Sequence, residues 1–127
     1  MTNELTADVE IVSREEDFYD DPGDAMKLSR VKIAREFHGD VEGTSSASIM
    51  LAQPGGAFVA QERFTGSIGG RTGTVVFSHG RVNAEPAEIK WGVIVAGSGT
   101  GELEGISGTV TFVFSGSSAT LTIVLND

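Results

Sequence analysis

Three ionisable side chains, Arg35, Glu62 and His79, fall on otherwise apolar faces of alternating segments. Arg35 shares its face with Val31, Ile33 and Phe37; Glu62 shares one with Phe58, Ala60 and Phe64; His79 follows Val75 and Phe77. A charge on a buried face is costly unless it is paired or hydrogen-bonded, so its presence needs a reason. One reason is proton transfer. Desolvation among aromatic rings pushes a carboxyl pKa up and a neighbouring guanidinium pushes it back, which makes Glu62 a poised acid or base with His79 as its proton partner and Arg35 as the tuning charge. The other reason is structural: an internal Arg35 to Glu62 ion pair with His79 hydrogen-bonded at the rim, fixing register and doing no chemistry. Both readings stay open. Phe37, Phe58, Phe64, Phe77 and Trp91 are expected to wall a substrate site around these groups, Trp91 as a wall or core residue rather than a catalytic one.

The elements that must position these residues read as strands. The dominant period is two, and the runs end in glycine clusters rather than helix caps. Ala7, Val9 and Ile11 alternate with acids as a short first strand, followed by Leu28 to His38, Val41 to Leu51, Phe58 to Phe64 and a segment ending in His79. Ile89, Trp91, Val93 and Val95 form a further apolar face, as do Val110, Phe112 and Phe114, then Leu121, Ile123 and Leu125. Roughly seven or eight strands joined by short turns predict an all-β antiparallel barrel or sandwich. The presumed inner faces mix bulky residues with Gly43, Ser45, Ala47 and Ala60, which favours a barrel with room for a ligand. The best helical segment, Glu85 to Lys90, is a single turn.

The charge is uneven. Residues 1–24 hold nine acids and one base, a net of −8, whereas the remainder is close to neutral, at −1 of a total of −9. This divides the chain into an acidic N-terminal arm, 1–27, and a barrel domain, 28–127. The aromatic pair Phe18-Tyr19 inside the acidic run suggests a lid over an apolar opening; the plainer reading is a solvating, partly disordered leader. A pI near 4.5 without a basic stripe argues against nucleic acid and anionic membrane surfaces as partners.

Other chemistries fail on context. With no cysteine there is no disulfide scaffold and no cysteine zinc site, and His38 and His79 have no close second ligand, so neither a metal nor any other cofactor is expected. Gly97-Ser98-Gly99-Thr100-Gly101 has no following lysine or helix to cradle a phosphate. No Gly-x-Ser-x-Gly elbow is present, and no Asn-x-Ser/Thr sequon. No apolar run approaches the ~20 residues of a membrane-spanning helix and no secretory signal opens the chain, so a soluble, cytoplasmic protein is expected.

Several segments together resemble the DUF3224 family: Phe37-His38-Gly39-Asp40-Val41-Glu42-Gly43, Gln61-Glu62-Arg63-Phe64-Thr65-Gly66, Gly70-Arg71-Thr72-Gly73 leading to His79, and Gly97 through Leu103. The resemblance runs from about Leu28 to Leu125 and lies in the order of the motifs. It departs at Ser48 and Ile49, where the family pattern more often has a glutamate and an aromatic residue. That family is similar in fold to the allene oxide cyclase barrel, so the resemblance implies an eight-stranded antiparallel barrel with an interior cavity. Its structural relatives include isomerases and cyclases that fold an apolar substrate, which is an analogy of fold and not of reaction.

Three functions fit. The first is an isomerase or cyclase that binds an apolar small molecule in the barrel and holds it folded for reaction, with orientation as the main source of rate. The second is a non-catalytic carrier or sensor of a hydrophobic small molecule. The third is a filled barrel acting in assembly, with strand faces at Val59, Val76 and Ile94 pairing between subunits as a homo-oligomer.

Overall fold

The computed structural model describes residues 3–126. Eight strands, β1 (Glu4–Asp20), β2 (Lys27–Gly39), β3 (Val41–Gln53), β4 (Ala57–Ile68), β5 (Arg71–Val82), β6 (Ile89–Ile94), β7 (Gly108–Ser115) and β8 (Ser118–Leu125), pair antiparallel in chain order and close β1 onto β8. The β4–β5 corner shows how local sequence sets register. Ile68 pairs with Arg71, and the two residues between them, Gly69 and Gly70, have φ of +59° and +84°, the left-handed pair a two-residue hairpin turn needs.

The acidic run is not a detached arm. Residues 4–20 form the longest stave of the barrel, paired with β2 as far as Asp20↔Leu28 and with β8 as far as Glu10↔Ser118. A register shift between Ile11 and Ser13 changes the strand's phase. Before it Ala7 and Val9 are buried; after it Arg14, Glu16 and Phe18 pair with Ile33, Val31 and Ser29 and so share their face. A boundary at residue 27 therefore separates one stave from its neighbours. The expected helical turn at 85–90 is also absent, because Ile89 and Lys90 are drawn into the sheet opposite Val82 and Arg81; among the described residues the one helical turn is a 3-10 turn, Gly101–Leu103.

The interior has two halves. At one end the β6–β7 connection runs along β5, with the Val95 and Thr100 N–H groups donating to the carbonyls of Val76 and Thr74, and adds Leu103 and Ile106 to a core of Phe37, Val41, Phe64, Ile68, Val75 and Phe77. This end is filled: Phe64 stacks on Phe77 at 5.9 Å and meets Phe37 edge-on at 5.2 Å. At the other end a smaller cluster, Val31, Ile33, Ala47, Ile49 and Ala60, is edged by Ile11, Leu51 and Phe58. The wall is uneven as well. The ladder between β6 and β7 is reduced to Val93↔Thr109, so the two strands part above that point.

Candidate functional site

Strand periodicity and register bring Arg35, Glu62 and His79 together between the two apolar clusters. Ser45 of β3 lies opposite Arg35 of β2 and Phe64 of β4; Glu62 lies two residues along from Phe64, and His79 of β5 lies opposite Ala60. Inward side chains two residues apart on neighbouring strands are diagonal neighbours, within reach of long side chains. His79 Nε2 is 3.1 Å from Glu62 Oε1, the Ser45 hydroxyl donates to Glu62 Oε2, and Arg35 Nε is 3.6 Å from that same oxygen. All four residues are buried, Glu62 completely.

Burial pushes the Glu62 carboxyl pKa up. The hydrogen bond to His79, the Arg35 charge and the hydrogen bond from Ser45 together outweigh it and hold the group below the ordinary glutamate value. Glu62 is thus a standing carboxylate. The balance of burial against Arg35 expected from the sequence gains one further contribution in the structure, the Ser45 hydroxyl, which also favours the charged form. Arg35 has a second environment: its guanidinium lies 5.0 Å from the Phe112 ring centre and 5.8 Å from that of Phe114, and its Nε and Nη1 have no hydrogen-bond partner.

His79 faces a cavity. Where β6 and β7 diverge, a slot of about 930 Å³ opens through the wall, lined by Phe58, His79, Trp91, Phe112 and Phe114 among others. That volume is within the range of small-molecule sites. The His79 ring lies 4.6 Å from that of Phe112 and edge-on to Phe58 at 5.9 Å, while Phe112 and Phe114 stack within 12° of parallel. Because a carboxylate only accepts, the His79 Nε2 is the donor in this bond, which fixes the ring's orientation and leaves Nδ1 as its other nitrogen.

Of the five aromatics expected to wall the site, Phe58 and Trp91 line the slot. Phe37, Phe64 and Phe77 are fully buried in the filled half, because their rings occupy the layer under the charged cluster. Trp91 reaches the slot from the opposite face to that expected. His79↔Gly92 and Phe77↔Ile94 turn Gly92 and Ile94 inward, which puts Trp91 and Val93 outside, and the Trp91 ring lies over Gly80, where a Cβ would collide with it. Ile94, offered above as an exposed pairing residue, is consequently buried. Phe18 and Tyr19 do not line the slot. They belong to the β1–β2 ribbon, half-exposed beside Lys27 and Arg30, so they stand on a paired strand rather than on a loop free to fold over. Ser45, Phe112 and Phe114 went unassigned in the sequence; the alternation Val110, Phe112, Phe114 was the available signal for the last two.

Among the described residues no group of three or more His, Cys, Asp or Glu side chains is placed so that it could hold a metal ion, and no helix is long and apolar enough to cross a membrane. A family model described as "Protein of unknown function (DUF3224)" matches residues 5–125. A crystal structure of a DUF3224-family protein with unknown function from Shewanella oneidensis MR-1 superposes with a TM-score of 0.84 at 21% identity, covering 99% of this chain and 98% of that one. No curated protein matches the chain.

Proposed function

We propose that this chain, which belongs to the DUF3224 family, is a small-molecule isomerase or cyclase that takes an apolar substrate into the slot between β6 and β7. One observation carries the reading: His79 lines the cavity and is at the same time hydrogen-bonded to a carboxylate fully withdrawn from water. His79 is the catalytic residue. Its Nδ1 accepts a proton from a substrate carbon and returns it at another, so the reaction needs no oxidant or reductant. Glu62 is a positioning residue that fixes the tautomer and stabilises the imidazolium while the proton is held. Arg35 and Ser45 act one step further back, by keeping Glu62 ionised and oriented. Phe58, Phe112 and Phe114 confine the substrate, which supplies the orientation part of the rate.

The test begins with native mass spectrometry of the gently purified protein, followed by extraction of whatever it retains. The recovered compound, incubated with the protein in deuterium oxide, is expected to gain deuterium at carbon or to change structure, and His79→Gln to abolish both. A compound that is bound and released without exchange or conversion would make the barrel a carrier. An unliganded mass that persists after exposure to a mixed library of apolar compounds would remove the ligand altogether.

A further inference from the structure

The slot has a rim as well as a floor, and the rim's charge is not that of the protein. In a chain of net charge −9, the ionisable residues lining the slot are His79, Arg81 and Lys90, with no carboxylate among them. Arg81 and Lys90 are directly opposed across β5 and β6, one inward layer from the His79↔Gly92 pair. At the rise of a strand their backbones stand about 7 Å along the sheet from those of His79 and Gly92. Arg81 is held in place from behind, its Nη2 donating to the carbonyls of Gly55 and Gly56 at 3.3 and 3.4 Å, while its Nε is buried without a partner. The resident counter-ion is Glu88, 3.7 Å from Arg81 Nη1 and 4.0 Å from Lys90 Nζ, a loose, half-exposed contact that a ligand anion can replace. The walls between rim and floor are flat: Phe112 and Phe114 are nearly parallel and Phe58 stands edge-on to Phe114 at 6.5 Å.

We infer that the slot takes a flat, conjugated carboxylate, its anionic group held between Arg81 and Lys90 and its ring system lying among Phe58, Phe112 and Phe114. This rests on the reading of the slot as a ligand site and adds to it the substrate's charge and shape. A carboxylate held at the rim fixes how far the rest of the ligand reaches toward His79, so the two cations select which part of the molecule meets the imidazole. A charge-assisted contact is stronger than a neutral one, so it also sets affinity.

Calorimetric titration of the full chain with 2-naphthoate and with its neutral isostere 2-naphthamide tests this at low ionic strength. The carboxylate is expected to bind about ten-fold more tightly, a difference near 1.4 kcal/mol, and the preference is expected to shrink with added salt. Lys90→Met, at a side chain 68% exposed, should reduce the carboxylate affinity and leave the amide unchanged. Glu88→Gln should raise the carboxylate affinity by freeing both cations. Equal binding of the two probes would overturn the anion assignment and leave the apolar site standing, whereas no binding of either would overturn both. A carboxylate preference indifferent to Glu88→Gln and Lys90→Met would overturn the placement at the rim.

Discussion

His79 Nε2 sits 3.1 Å from Glu62 Oε1 with both side chains shut away from water, 5% and 0% exposed, and Arg35 completes the group from the other carboxylate oxygen. Removing one partner of a buried ion pair leaves the other charge uncompensated, at a cost of about 3–5 kcal/mol, whereas replacing both can be close to neutral. Glu62→Gln keeps the shape and removes the charge, so it should lower the urea midpoint by a corresponding amount. Glu62→Gln combined with Arg35→Met should be more stable than Glu62→Gln alone. A double variant showing the summed loss of the two single ones would mean that the residues act independently.

The acid side of the stability curve is set by the same carboxylate. Burial raises the Glu62 pKa but its three partners lower it further, so the folded state holds the group below the ordinary glutamate value. Glu16 is lowered as well, first by the Ser29 hydroxyl, against some burial, and then by Arg14 and Gln53. A carboxyl with a lowered folded-state pKa binds fewer protons folded than unfolded. Its stabilisation is therefore complete above the ordinary glutamate value, shrinks as pH falls below it, and is gone beneath the folded-state value. Urea unfolding across that interval should show stability falling with pH, and Glu62→Gln should flatten the slope. Glu16, 17% exposed in its side chain, contributes the smaller, salt-sensitive part. An unchanged slope in Glu62→Gln would assign the acid sensitivity elsewhere.

The two ends of the barrel should respond differently to loss of a ring. Phe64 is fully buried between Phe37 and Phe77, and Phe64→Ala should cost about 3–5 kcal/mol. Phe114 is 52% exposed and stacks on Phe112 beside Arg35. Phe114→Ala should cost about 1 kcal/mol, the worth of an aromatic pair, and weaken ligand binding in the slot. Comparable destabilisation at both positions would mean that the slot end is packed as tightly as the filled end.

The sequence made the inner face of β2, β4 and β5 legible because each alternates cleanly, and Arg35, Glu62 and His79 stand out there as charges among hydrophobes. Height along the barrel axis was not legible. Register alone decides that Phe37, Phe64 and Phe77 lie below the charged layer while Phe58 lies beside the slot. The face of β6 was misleading, because Ile89, Trp91 and Val93 alternate as a clean apolar face whereas the phase that turns inward, Gly92 with Ile94, also carries Lys90, which stays exposed at the open end. In β1 the shift after Ile11 broke the alternation, so a strand rich in acids read as a leader.

That strand gives the last prediction. If residues 1–20 were an arm, their removal would leave a stable barrel with faster ligand exchange. In the observed topology it removes a stave and exposes the edges of both β2 and β8. The truncated chain should lose its cooperative thermal transition and self-associate. Phe18→Ser with Tyr19→Ser keeps the strand backbone and alters only half-exposed side chains near its end, so its thermal transition should stay close to that of the intact chain, within about 0.5 kcal/mol. A truncated chain that still melts cooperatively as a monomer would show that seven strands suffice and that β1 is an addition to the barrel rather than part of its closure.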